Sequence, residues 1–188
     1  MSIPENRRYS IVEYQEICEK YPAKCVEYLD GFVLMSPSPS VEHQRISMRL
    51  SATLYNLLKS SSCEPFAAPF DVELTSDDVE GLHIVMPDLA VICNQENLTN
   101  NKYKGVPELI LEILSPSNQS HDLVYKLDLY MRYGVKEYWI INPLNRSVQL
   151  YVLNDERSYN QVAAANVGIV TSHIVEGFEI DTSSFFGD

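Results

Sequence analysis

Glu112 is a charged residue in a place that chemistry does not give away for free. It stands in "PELILEILSPS", Pro107 to Ser117, between Leu109-Ile110-Leu111 and Ile113-Leu114, and the run reads as a buried strand. An unpaired carboxylate there costs several kcal/mol. A second acid, Asp88, follows Pro87 in "HIVMPDLAVIC", which reads as the preceding strand. If the two strands flanking the Asn94–Pro107 loop pair antiparallel about position 100 or 101, Asp88 falls opposite residue 113, one position from Glu112. Facing side chains on neighbouring strands lie only ~5 Å apart. Two carboxylates at that range repel, so one takes a proton or both share a cation. Hard oxygen ligands of this kind suit Mg²⁺ or Mn²⁺. The competing explanation is structural: Asp88 caps a turn, and Glu112 pairs with a cation such as Lys126 on the next helix. The residues alone leave both explanations open.

The elements that must position these acids are legible from pattern. Ser10-Ile-Val-Glu13 is a capping box and predicts a helix of about ten residues. In "CVEYLDGFVLMS" two apolar runs flank Asp30-Gly31, a strong hairpin signal. From Ser40 the period turns helical, and Ile46, Leu50, Leu54, Leu57 and Leu58 can share one face of a long helix ending near Lys59. "CEPFAAPFDVELT" reads as one strand, irregular or at an edge because of its prolines. After Ser115-Pro116-Ser117, Leu123, Leu127, Tyr130 and Met131 mark a helix that Gly134 stops. "KEYWIINP", "RSVQLYVL" and the segment from Tyr159 to Ala164 predict three further strands, and Phe185-Phe186 predicts a plug onto the core.

The chain of 188 residues is 45% hydrophobic and 21% charged, the balance of one globular domain over residues 1–188. Its net charge of −12 argues against a protein that coats nucleic acid by general attraction, although cations bound at one site can cancel charge locally. Cys18, Cys25, Cys63 and Cys93 form no CxxC pair and match no zinc spacing, so four reduced thiols in a cytoplasmic protein are the expectation. Neither a signal-peptide run nor a membrane-length apolar stretch is present, so no membrane partner is expected.

Pro87-Asp88 followed by Glu112-Ile113-Leu114 resembles the metal-binding core of the PD-(D/E)XK nuclease superfamily. "VEYLDGFVLMSPSPSVEHQRI", "MPDLAVI" and "PELILEILSPSNQSHDLVYKLDLYMRYGVKEYWIINP" are similar to one branch of it, the Uma-type endonuclease family with a restriction-endonuclease-like fold. The likeness covers nearly the whole chain. It implies an α/β fold, with a central mixed sheet flanked by helices and extra C-terminal strands. It also implies divalent-metal-dependent hydrolysis of phosphodiesters in DNA, with Mg²⁺ or Mn²⁺ as cofactor. Carried over by position, Asp88 and Glu112 become metal carboxylates and the backbone carbonyl of Ile113 a further ligand. Glu27 becomes an acid reaching the same metal, and His43 a histidine near the start of the long helix. Restriction-type enzymes often pair two sites to cut both strands, so a homodimer is an expectation, with no interface fixed by the sequence.

One departure stands out. The superfamily lysine belongs two residues after the glutamate, where this chain has Leu114. The Uma-type pattern places a lysine in the following helix, and Lys126 occupies that place. Leu114 and the acidic balance leave a second reading open: a nuclease-fold module without turnover, acting in nucleic-acid or protein interaction. Structural readings also remain for single residues: an Asp122–Lys126 helix pair, a surface Glu27, a capping His43. Arg45 and Arg49 share a helix face and read as solvated surface, and Trp139 reads as core. Lys102 and Lys104 lie in a loop that is either a flap over substrate or an idle connection, and His83, His121 and His173 receive no role.

Overall fold

The computed structural model describes residues 7–115 and 121–186, with the side chains of 121–123 left aside. Pro116 and Ser117, expected to break the chain after the Glu112 strand, lie outside the described residues, as does the side chain needed for an Asp122–Lys126 pair. The chain opens on α1 (Ile11–Lys20), where Ser10 and Glu13 close the expected capping box. The hairpin of β1 (Cys25–Leu29) and β2 (Phe32–Ser36) follows. Its turn puts Asp30 at φ 47° and Gly31 at φ 93°, the left-handed pair that a two-residue hairpin turn requires. The long helix α2 (Val41–Leu58) buries Ile46, Leu50, Leu54 and Leu58. Leu57 departs from the expected face and is 40% exposed, because it lies beside the buried row rather than on it.

Two runs that read as single strands are each divided between two sheets. "CEPFAAPFDVELT" becomes β3 (Glu64–Ala67) and β4 (Asp71–Leu74). "HIVMPDLAVIC" becomes β5 (His83–Val85) and β6 (Leu89–Ile92), with Met86-Pro87-Asp88 as the crossing. The loop before Glu112 contains β7 (Lys102–Lys104), which pairs in parallel with β4. Lys102 and Lys104 both bind the Glu73 carboxylate from that edge, so they are committed to a strand pair and not to a flap. Burial alone would raise the Glu73 pKa, but the two ammonium groups outweigh it and hold the carboxyl below its ordinary value. After β8 (Leu109–Ile113) a π-helical turn over His121–Lys126 leads into α3 (Leu127–Tyr133). Gly134 ends α3 at φ 88°. Strands β9 (Glu137–Asn142), β10 (Ser147–Leu153), β11 (Tyr159–Ala165), β12 (Ile169–Thr171) and β13 (Glu179–Asp181) follow, and α4 (Thr182–Phe185) closes the chain.

The strands form a five-stranded sheet in the order β2-β1-β5-β4-β7 and a six-stranded mixed sheet in the order β11-β10-β9-β8-β6-β3, with β12-β13 as a separate hairpin. Alternation along β8 decides what each face of the six-stranded sheet meets. Leu109, Leu111 and Ile113 face α2 and the C-terminal hairpin, where Trp139, Phe178 and Phe186 complete one core layer. Ile110 and Leu114 face α3 and the five-stranded sheet, with Tyr130, Tyr138 and Val85 in the second layer. The helices therefore flank a mixed sheet as expected, and Trp139 and Phe186 are core. A third, smaller cluster seats α1 through Tyr14 on Tyr28 and Ile84 of the five-stranded sheet.

The cysteine reading changes. Continuing the β3–β6 register outward from Glu64 and Ile92 sets Cys63 opposite Cys93, and the two are joined as a disulfide. Cys18 and Cys25 remain free thiols. No helix among the described residues is long and apolar enough to cross a membrane.

Candidate active site

The β6–β8 ladder pairs Leu89 with Leu111, Ala90 with Ile110 and Val91 with Leu109. One step further, Asp88 stands opposite Glu112, a single position from the partner expected from the loop midpoint. The crossing at Met86-Pro87-Asp88 leaves backbone donors that no ladder can serve. The Met86 N–H donates to Glu27 Oε1 at 2.8 Å. Pro87 has no N–H to satisfy. Beyond the end of β6, the Ile113 N–H donates to Asp88 Oδ2 at 2.7 Å. The Asp88 backbone is fixed in turn, its carbonyl accepting from the Ala68 N–H at 3.1 Å. Asp88 and Glu27 are thus where they are because a strand changing sheets needs acceptors there.

Glu27 and Glu112 face each other across one layer. Glu27 alternates with Tyr28 and so shares the inward side of β1 with Leu29, while Glu112 shares the side of β8 occupied by Ile110 and Leu114. Lys126 enters that layer from the turn before α3. Its Nζ lies 3.0 Å from Glu27 Oε1 and 2.8 Å from Glu112 Oε1, and all three side chains are under one-tenth exposed. Tyr130, one turn along, donates its hydroxyl to the same Glu112 oxygen at 2.9 Å. Burial and the adjacent Glu112 carboxylate push the Tyr130 phenol well above its ordinary pKa, so it remains a donor. Leu114, in the place of the superfamily lysine, is core. The ammonium beside Glu112 comes from the helix side, on Lys126.

The Ser40 hydroxyl caps α2 by accepting from the His43 N–H at 3.1 Å. This sets His43 over the end of the sheet, where its Nε2 lies 3.1 Å from Asp88 Oδ1. Asp88 therefore has one oxygen on the Ile113 amide and the other on His43. In extended backbone the N–H and C=O of one residue leave on the same edge, so the Ile113 carbonyl is directed toward the Asp88 side as well. The structure brings Glu27, Glu112 and Lys126 into direct contact, and Asp88, His43 and Ile113 into a second contact group at the same end of β6 and β8.

The donor set of carboxylate oxygens and a carbonyl fits a hard divalent cation in its chemistry. As the side chains stand, no three acid, histidine or thiol groups among the described residues converge to hold an ion. The physical reason lies in the layer itself: a lysine ammonium stands between two of the acids.

Two residues near the site were not singled out from the sequence. Tyr130, part of the helix periodicity in the sequence, also donates to Glu112. Cys25 is two residues from Glu27 on β1, hence on the same strand face, and burial followed by the fields of Asp88 and Glu27 raises its thiol pKa, with Lys126 opposing. That i, i+2 spacing was the available signal for Cys25; nothing in spacing announces Tyr130. Arg49 is tied to the Phe185 carbonyl at 2.5 Å and Arg45 is exposed surface.

Residues 11–183 match the family described as "Uma2: Putative restriction endonuclease". The chain is 27% identical over 131 residues to the uncharacterized protein slr1290 of Synechocystis sp., spanning 69% of this chain and 67% of that protein. Its fold is similar to the crystal structure of a protein described as a putative nuclease belonging to DUF820 from Anabaena variabilis. The TM-score is 0.68 at 17% identity, over 86% of this chain and 89% of the other.

Proposed function

From the premise that this chain belongs to the Uma2 family over residues 11–183, we propose that it is a divalent-metal-dependent endonuclease hydrolysing phosphodiester bonds in DNA. The observation that carries this reading is the buried Lys126 ammonium shared by Glu27 and Glu112, with Asp88 one ladder step away on the neighbouring strand, bound to the Ile113 amide and His43. Asp88, Glu112, Glu27 and the Ile113 carbonyl would hold Mg²⁺ or Mn²⁺. Such an ion, when bound, polarises a phosphate oxygen and lowers the pKa of a coordinated water.

The chain's own groups have distinct parts. Hydrolysis adds water across a P–O bond, so the attacking water must lose a proton and the leaving oxygen must gain one. Lys126, a cation, serves as a charge partner for the phosphate in the transition state and not as a base. Tyr130 holds Glu112 at Oε1 and stays protonated while doing so. His43 lies at the boundary between Asp88 and solvent, about one-eighth exposed, where an imidazole can pass a proton near neutral pH. The apolar residues around Lys126 keep water from screening it.

The test is cleavage of plasmid DNA with Mg²⁺ or Mn²⁺ by the wild type and by Asp88→Ala. Wild type should nick and then linearise the plasmid, and Asp88→Ala should be slower by about 10²-fold or more. Equal cleavage by both would mark a contaminant and sink the enzyme reading. No cleavage under any metal, with intact folding, would favour the interaction module.

A further inference from the structure

We propose that Lys126 occupies the cation position of this site, and that a divalent ion enters between Glu27 and Glu112 by displacing its ammonium. This rests on the metal-dependent reading above and extends it to how the metal site is regulated.

Three observations carry it. First, the ammonium touches both carboxylates, at 3.0 and 2.8 Å, in a layer closed to water. A dication placed among the same oxygens would stand against a like charge at contact distance, an arrangement that a buried layer disfavours. Second, each carboxylate has a further anchor that does not depend on lysine. Glu27 Oε1 also accepts from the Met86 N–H at 2.8 Å, and Glu112 Oε1 also accepts from the Tyr130 hydroxyl at 2.9 Å. Lys126 can therefore leave without releasing either acid from its place. Third, Lys126 is the last residue of the π-helical turn before α3, and it carries its charge on a four-carbon stem. A π turn holds one residue more than an α turn, which gives the backbone at this point a second register to adopt. The charge count agrees: two carboxylates and one ammonium leave a net negative charge in the layer, whereas two carboxylates and one dication cancel.

Lysine then does two tasks in sequence. Without metal it compensates the two buried acids, so the fold does not depend on an ion. With metal bound it is expelled toward the phosphate, where the proposed reaction needs a cation.

The experiment is Mn²⁺ titration by calorimetry, without nucleic acid, of the wild type, Lys126→Met and Glu112→Gln, with thermal unfolding of each in chelator and in saturating Mn²⁺. Lys126→Met should bind Mn²⁺ at least tenfold more tightly than wild type. It should melt below wild type in chelator and gain more in Tm from Mn²⁺ than wild type does. Should Lys126→Met be unfolded in chelator, Mn²⁺ should refold it, and failure to refold would overturn the proposal. Lys126→Arg, which keeps the charge, should bind Mn²⁺ no more tightly than wild type. If wild type binds Mn²⁺ in a Glu112-dependent way but Lys126→Met binds equally or more weakly, the displacement idea falls and the metal-site reading stands. If neither wild type nor Lys126→Met binds Mn²⁺, the metal-site reading fails and takes the displacement idea with it.

Discussion

Two buried glutamates on adjacent parallel strands are solved in opposite ways. Glu112 on β8 is 2% exposed and Glu137 on β9 is 0% exposed. Glu137 turns toward the α2 layer beside Trp139 and is surrounded by neutral donors. Its Oε2 accepts from Trp139 Nε1 at 2.9 Å and the Ser172 hydroxyl at 2.8 Å. Its Oε1 accepts from the backbone N–H groups of His173 and Ile174. These bonds tie the loop between β12 and β13 to the central sheet. Glu112 turns into the other layer, where an ammonium and a phenol hold it, both from the helical segment after β8. Burial of a carboxylate is therefore no sign of catalysis by itself. The donors decide: fixed neutral amides keep an acid in place permanently, whereas a lysine on a long stem can be exchanged for another cation.

The largest expected effects separate the two acids outright. Glu112→Gln should lower DNA cleavage by about 10³-fold or more, since it removes the charge that the proposed metal requires. Its stability should change by only about 1 kcal/mol, because Lys126 retains Glu27 and the amide oxygen still accepts. Glu137→Ala should do the reverse. Taking their shared acceptor from the buried Trp139 indole and three part-buried donors should cost about 3–5 kcal/mol, read as a shift in urea midpoint, with the specific activity of the folded fraction preserved. A Glu137 variant that folds normally and is inactive would break the distinction.

A smaller effect tests the phenol. Tyr130→Phe removes a donor to Glu112 Oε1 and leaves the ring packed against Tyr138. It should cost about 1 kcal/mol of stability and slow cleavage roughly tenfold, mostly in kcat. An unchanged kcat would mean that the Tyr130 hydroxyl does not orient Glu112 for the reaction.

The unequal legibility of these regions has physical causes. The spacing of Ile46, Leu50, Leu54 and Leu58 dictated α2, and Asp30-Gly31 dictated its hairpin, because local pattern suffices for both. The Asp88–Glu112 encounter was readable to within one residue, since antiparallel neighbours share a midpoint even when β7 occupies the loop between them. The Glu112–Lys126 pair was open from the residues alone, whereas Glu27 and His43 came from resemblance, because their contacts join segments far apart in the chain. The division of two prolonged runs between two sheets was hidden, as a strand that changes sheets keeps its apolar composition throughout. The Cys63–Cys93 pair was hidden for a related reason: it depends on the β3–β6 register, and β3 could not be separated from β4 by pattern. Glu137 gave no signal, since two of its four donors are backbone groups that carry no residue type and Ser172 lies far along the chain.

The smallest expected effect concerns what supports the Glu112 side. Tyr133, on α3 beyond Tyr130, meets His83 Nδ1 of β5 at 2.9 Å, so α3 is tied to the five-stranded sheet by a titratable group. On the Glu137 side the loop's amides and hydroxyl, with the Trp139 indole, all donate to the one carboxylate, and no histidine side chain takes part in these bonds. Burial depresses the His83 pKa below its ordinary 6.5; Asp30 opposes this and Arg132 adds to it. A histidine with a depressed folded pKa binds its proton first in the unfolded chain. Its contribution is thus intact above pH 6.5 and declines as pH falls from there toward the folded value. Urea unfolding of wild type should accordingly show stability falling on acidification below that point, and His83→Gln should flatten this slope while matching wild type in its pH dependence above neutrality. Were the acid slope the same in both proteins, His83 would not be titrating the attachment of α3.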